Sequence, residues 1–242
     1  LLTKDPENLK EVISVGYSKL FDQQWPMWVG GLLFGFINVF MFAFEKAWSV
    51  ADGVRNWGNW FFNNVEITDI TIINPHLYST SILNFGIIAG ALASALLAKQ
   101  FQIRNAPSRE LYKAVVGGIL MGIGSSMSFG CNIGGFFSSI SALSMAGVAM
   151  MGGLLIGTFI GLKILVWEIT YWSPAPTASK NVSGRNNKTN QPIIGISIII
   201  IGILLALVYD NLDYSIRGGF LFFGLVLGII MQRTRFCFVR AF

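Results

Sequence analysis

Two thiols, Cys131 and Cys237, stand out as the residues of this 242-residue chain that could do chemistry. Cys131 sits in the stretch Gly117 to Ser139, GGILMGIGSSMSFGCNIGGFFSS. That stretch is too apolar for a loop and too rich in Gly and Ser for an ordinary core helix. In lipid, broken backbone is tolerated only where protein covers it or a water-filled cavity meets it. We therefore expect a broken helix that places a thiol on a transport path. Gly130, Asn132, Gly134 and Gly135 flank the cysteine, and glycines there let backbone N–H groups face a ligand. A helix beginning near Phe136 would turn its positive end towards an anion. Ser125, Ser126 and Ser128 would line the approach with hydroxyls, or else pack between helices. Cys237 follows Arg233 and Arg235 and precedes Arg240. Guanidiniums beside a thiol favour thiolate or attract anions, while Arg233 and Arg235 can also serve as interfacial anchors. The plain alternative for either cysteine is a small buried hydrophobe. The two lie 106 residues apart with no CxxC, and the single histidine, His76, falls in a loop beside Pro75. No structural zinc site, cofactor or disulfide framework is expected from that pattern.

The elements that must hold these residues are membrane helices. Hydrophobic residues make up 53% of the chain and charged residues 12%, with a mean hydropathy of +0.61; a soluble domain carries about 25% charged residues. The apolar residues come in blocks, so the fold class is an all-α polytopic membrane protein. Six spans are expected, with short re-entrant or broken helices between them. Residues 1–24 form an interfacial N-terminal segment, with Leu9, Val12, Ile13 and Tyr17 at helical spacing. Trp25 and Trp28 mark a membrane boundary, and the first span follows Pro26 to Phe44. A long polar connection, Glu45 to Thr80, reads as an interfacial or re-entrant piece. The second span is Ile82 to Leu97, where Gly86 and Gly90 allow close helix contact. A basic loop with Lys99, Arg104, Arg109 and Lys113 leads into a nearly uncharged run to Trp172, which holds two passes with a break between them. Gly153, Gly157 and Gly161 are spaced as a packing face. Lys163 and Glu168 lie near the end of the second of these passes, where they would snorkel or pair. Residues 173–191 are a flexible polar loop. The fifth span is Pro192 to Tyr209, and Gly218 to Met231 is read as a segment too short to cross unaided.

Charge tests this layout. The two basic loops and the segment after Met231 hold ten Lys/Arg and one acid, Glu110. The connections on the opposite side hold three Lys/Arg and six acids. By the positive-inside rule the first group is cytoplasmic. An internal repeat also appears: GGLLFG at Gly30, GGILMG at Gly117 and GGFLFFG at Gly218 each open an apolar segment. Cys131 follows in the second copy and Cys237 in the third, whereas the first reaches Glu45 and Trp48 instead. Repeats with interrupted helices at matching places point to a transporter site near the midplane.

The residues that carry a family resemblance are SFGCNIGGFFSSI at Ser128 to Ile140 and RTRFCFVRAF at Arg233 to Phe242. The first resembles the FGC-x-x-G segment of the YeeE/YedE sulfur-transport membrane proteins, and the second their R-x-R-F-C-F-x-x-A-F segment. GGLLFGFINVFMFAF at Gly30 to Phe44 is similar as well, so the resemblance covers nearly the whole chain from Trp25. It implies an inner-membrane protein of inverted repeats with short helices meeting near the middle. Residues 25–172 would be one membrane repeat and 192–242 a second, truncated one. It implies uptake of thiosulfate or a related sulfur or selenium species, with Cys131 and Cys237 on the path. A soluble sulfur carrier or sulfurtransferase would receive the product, and no nucleic acid is expected among the partners. Two departures stand against this: thiosulfate-importing members use a further cysteine absent here, and the chain stops where the family pattern continues. Beside a transporter, two other classes fit the residues: a membrane persulfide-forming sulfurtransferase using Cys237, and a structural subunit of a larger complex.

Overall fold

The computed structural model describes residues 16–17, 20–21, 24–46, 48–67, 69–102, 108–128, 130–171 and 191–235. Most of the expected interfacial segment, the polar loop and Cys237 with Arg240 lie outside them. The described residues are all-α. The helices are α1 Met27–Phe44, α2 Val50–Asn64, α3 Ser79–Leu97, α4 Ser108–Met127, the single turn α5 Ser139–Ser141, α6 Met145–Tyr171, α7 Gln191–Asn211 and α8 Ser215–Thr234. Between α4 and α5 runs a π-helix, Asn132–Ser138. Among the described residues, five helices are long and apolar enough to cross a membrane, or six if α4 and the bent segment after it count as one broken span. The chain is a multi-pass membrane protein.

The last helix differs from its expected form. A window opening at Gly218 and closing at Met231 holds the purely apolar part, but α8 has 20 residues. At about 1.5 Å per residue that length reaches roughly 30 Å, the thickness of a bilayer core. The added turns carry Ser215 and Arg217 at one end and Gln232, Arg233 and Thr234 at the other. Arg233 and Thr234 are buried, so Arg233 is packed into protein and is not an interfacial anchor. The polar connection after α1, read from its length as an interfacial or re-entrant piece, is more than a loop. It contains α2, an amphipathic helix that lays Gly53 and Asn56 against α3. Asn56 Nδ2 donates to Ile73 O at 3.0 Å, and Ser81 Oγ donates to Asn56 Oδ1 at 2.9 Å.

The centre of the bundle is the crossing of α3 and α8, with α7 against both. Small residues make it possible. A Cβ on Gly86 would lie 2.7 Å from Leu221 O, and one on Gly224 would lie 3.0 Å from the Gly86 Cα. Gly90 meets the Leu225 backbone and Gly228 the Ile87 backbone in the same way. Between helices in lipid, van der Waals packing replaces the hydrophobic effect as the source of attraction. Two backbones that touch along two turns gather more of it than any larger side chain would allow. The Gly86 and Gly90 expectation is thus met, with partners at matching spacing on α8. No described residue packs on the other glycine series, Gly153, Gly157 and Gly161 of α6. The repeat copies differ too, since Gly30 packs on Thr234 and Gly218 on Ala206 while Gly117 meets none of the described residues. Gly117→Ala is accordingly expected to leave thermal stability unchanged or raise it by up to about 1 kcal/mol of helix propensity. Gly30→Ala, which must displace buried Thr234, is expected to lower it; melting of the two purified variants against the parent checks this.

The two ends of the bundle are tied by hydrogen bonds between segments. At one end Tyr17 Oη donates to Leu97 O at 2.6 Å, Gln191 Nε2 to Phe101 O at 3.3 Å, and Trp25 N to Arg233 O at 3.2 Å. At the other end Tyr209 Oη donates to His76 O at 2.9 Å and Arg217 Nε to Leu77 O at 2.7 Å. Phe101 and Gln191, which flank the two basic loops, are thus joined at one end, and His76, Leu77, Tyr209 and Arg217 of the two acidic connections at the other. Across α4 and α6, Lys113 pairs with Glu168 and also with Glu110 at 3.1 Å. Lys163 Nζ instead lies over the Phe159 ring, 4.8 Å from its centroid. That contact draws it back one turn towards the start of α6, not out towards the helix end.

Candidate functional site

The break comes where Ser and Gly crowd the end of α4. Ser128 Oγ lies 2.9 Å from Gly124 O and 2.8 Å from Gly130 O, tying the last turn to the chain beyond it. Ser125 and Ser126 bond back to Gly122 O and Ile123 O, as hydroxyls in helices commonly do. Those three serines are thus engaged with their own backbone. The chain then bends by 44° and re-enters helix at Asn132, four residues earlier than expected. Cys131 is the residue immediately before the first turn of the π-helix, with an extended backbone.

The glycines around it act by allowing close approach, not by unusual dihedral angles. A Cβ on Gly130 would lie 2.7 Å from Gly135 N, so the chain folds back on itself there. A Cβ on Gly135 would lie 2.6 Å from Met150 Sδ, so the π-helix is lodged against α6. Gly134 faces Ser49, whose Cβ and Oγ would both be 2.9 Å from an added methyl. Asn132 is half-buried beside them.

That last contact brings in a segment the sequence did not attach to this site. Ser49 precedes α2, and its Oγ lies 4.0 Å from Cys131 Sγ. The backbone amides of Gly134, Ala51 and Ile133 also lie close to the sulfur. Ala51 belongs to the first turn of α2, and Ile133 and Gly134 belong to the first turn of the π-helix. Two helix starts therefore converge on one thiol. Unpaired N–H groups and the positive end of the helix dipole are found together at such starts. Both features favour a bound anion. Cys131 is half-buried and packs against the core of Phe34, Met41, Trp48, Ile133 and their neighbours.

Two asparagines hold the start of α2. Asn84 of α3 donates from Nδ2 to Val50 O at 2.9 Å. Asn38 of α1 accepts from Trp48 Nε1 at 3.0 Å. Sequence reasoning missed Ser49, Asn38 and Asn84, though Asn38 and Asn84 are polar residues inside otherwise apolar helical runs. Such residues in membrane spans mark helix contacts or sites. Of the expected site residues, the fold brings Ser128, Gly130, Cys131, Asn132, Gly134 and Gly135 together. Cys237 and Arg240 lie outside the described residues.

Comparison with known proteins supplies the family. The chain is 26% identical over 196 residues to the "Probable transporter YedE" of Salmonella typhimurium, which covers 78% of this chain and 46% of that protein. It is 26% identical over 117 residues to the "Thiosulfate transporter TsuA" of Escherichia coli, covering 48% of this chain and 32% of the other. Against the "Thiosulfate transporter TsuA" of Spirochaeta thermophila it is 40% identical over 62 residues, 25% of this chain and 19% of that one. The chain thus spans about half the length of the YedE relatives it matches. No solved structure matches it. The model of the Sulphur transport family matches residues 3–160, across α1 to α5, the thiol and most of α6, and the chain belongs to that family.

Proposed function

We propose that the protein moves a small sulfur-containing anion, thiosulfate foremost, across the inner membrane into the cytoplasm. The observation that carries the reading is the convergence of two helix starts and the Ser49 hydroxyl on Cys131. Thiosulfate has a hard sulfonate end and a soft terminal sulfur. The amides and the hydroxyl suit the first, replacing part of its hydration. A thiol S–H is a weak donor and suits the second. Bonds of that strength let an ion leave as well as enter, which conduction requires.

Cys237, with Arg240 beside it, is the second point of the path. The basic loops face the cytoplasm, so Cys131 acts first, from the outer half, and Cys237 nearer the exit. Residues 25–172 and 192–242 form the two repeats between which the path runs. A cytoplasmic sulfur carrier or sulfurtransferase accepts the anion. The match to thiosulfate transporters supports the substrate.

The test is uptake of radiolabelled thiosulfate by cells that lack other importers and express the full-length protein. Uptake above the empty-vector control, competed by unlabelled thiosulfate but not by sulfate, is the expected result. Uptake equal to that control at verified membrane expression sinks the reading.

A further inference from the structure

Asn38 is a polar side chain in the apolar run of α1, with 1% of its surface exposed. A buried amide is stable in that setting only when its donors and acceptor are paired. Here all the partners come from the two segments that meet at Cys131. Oδ1 accepts from Trp48 Nε1 at 3.0 Å and from Ser138 Oγ at 3.4 Å. Nδ2 donates to Ser141 Oγ at 3.1 Å. Trp48 and Ser138 are themselves almost wholly buried.

The positions of those partners matter more than their number. Trp48 is the residue before Ser49, and α2 starts one residue later. Ser138 is the last residue of the π-helix whose first residue follows Cys131. One amide on α1 thus grips the segment that leads into α2 and the far end of the π-helix. None of its hydrogen bonds goes to the thiol. We propose that Asn38 is a positioning residue for the Cys131 site. Through Trp48 and Ser138 it holds the α2 start and the π-helix at the register in which both face the thiol.

The consequence is specific. If the α2 start shifts, Ser49 and the Ala51 amide leave the thiol, while the sulfur itself stays in place and reactive. The site then loses its preference for anions without losing its nucleophile. This inference rests on Cys131 being an anion-binding point, as in the function proposed above, so its test reads the thiol separately from uptake.

Trp48→Phe removes the indole N–H, together with part of the indole's bulk, and leaves an aromatic ring on the side where Trp48 packs 5.5 Å, centroid to centroid, from Phe34. Ser138→Ala removes the other donor to Oδ1. In membranes holding the full-length protein, Cys131 is modified by methanethiosulfonate reagents of similar size, one anionic and one cationic. Mass spectrometry of the Cys131 peptide gives the two initial rates. The expected result is that the anion-to-cation rate ratio falls by about fivefold in Trp48→Phe, as one lost hydrogen bond allows. A smaller fall is expected in Ser138→Ala, which carries the test if Trp48→Phe does not fold. A ratio within about twofold of the parent in both folded variants overturns the proposal. So does loss of thermal stability that raises both rates together and leaves the ratio alone, and so does a parent with no preference for the anionic reagent. A fallen ratio in a protein without thiosulfate uptake keeps the positioning role and removes the transport reading. Uptake with an unchanged ratio does the reverse.

Discussion

Replacing Cys131 with alanine is expected to lower thiosulfate uptake by roughly tenfold to a hundredfold at equal membrane expression. The size follows from what the change removes. A hydrogen bond to a charged group contributes about 1.5–3 kcal/mol, and each 1.4 kcal/mol is about a factor of ten. Cys131→Ala takes away the soft contact but leaves Ser49 and the amides of Ala51, Ile133 and Gly134 around the vacated position. Cys131→Ser restores a donor of similar shape, so it is expected to recover part of the rate. Because serine binds an oxyanion as well as cysteine does, the recovered uptake should be less selective for thiosulfate over sulfate. Initial rates with each labelled anion decide this. Alanine transport equal to the parent would remove Cys131 from the path.

The second large effect lies far from the thiol. Gly228→Leu is expected to abolish assembly of the bundle, because an added Cβ at Gly228 meets the Ile87 carbonyl and sits 2.7 Å from Ala91 N. Those are backbone atoms of a buried helix and cannot swing aside as a side chain would. Overpacking against movable side chains costs about 1–3 kcal/mol; here the whole crossing must open. α3 carries Asn84, which holds the α2 start, and α8 carries Phe220 and Leu227 of the core beneath the site. Separation of α3 from α8 would therefore undo the site as well. Fluorescence-detected size exclusion in mild detergent should show aggregate or no peak for Gly228→Leu. Gly157→Leu, on the open face of α6, should run as a single peak like the parent. A monodisperse, thermally stable Gly228→Leu protein would refute the account of the α3–α8 crossing.

The difference between these two glycines shows where sequence reading stops. Gly228 follows Gly224 at the same interval that separates Gly86 from Gly90, and Gly157 follows Gly153 at that interval too. Spacing puts each pair on one face of a helix. It does not say whether a second helix comes to that face. In α6 none of the described residues does, and the helix turns its apolar residues outward along its length.

Length also misled where polar residues close a span. The hydropathy of α8 fades at Met231, yet the helix continues through Gln232, Arg233 and Thr234. Gln232 is held by Ser94 Oγ at 2.9 Å and Thr234 bonds back to Ile230 O at 2.7 Å. Tertiary partners supply what lipid would deny these side chains, so the helix outlasts its apolar run. The connection after α1 reads as an interfacial or re-entrant piece, but nothing in it says where α2 packs. Its fifteen residues mix Trp and Phe with Asp, Arg and Asn, and look like a surface connection until α3 is placed beside them.

By itself the sequence determined the class of the protein, its apolar spans to within a few residues and the break at Cys131. Each of these is a local matter. The length of an apolar run is set by bilayer thickness, and Ser and Gly weaken a helix through their own backbone preferences. Its cysteine motifs also carried the family. The tertiary structure alone decided that Ser49, Ala51 and Trp48 share the site with Cys131, that Asn38 binds both arms, and which glycines touch a neighbour. Those facts depend on how helices far apart in the chain cross. In a membrane the crossing is selected by close backbone packing and by the pairing of a few buried polar groups. Neither leaves a pattern in one stretch of sequence, because each needs a partner from another.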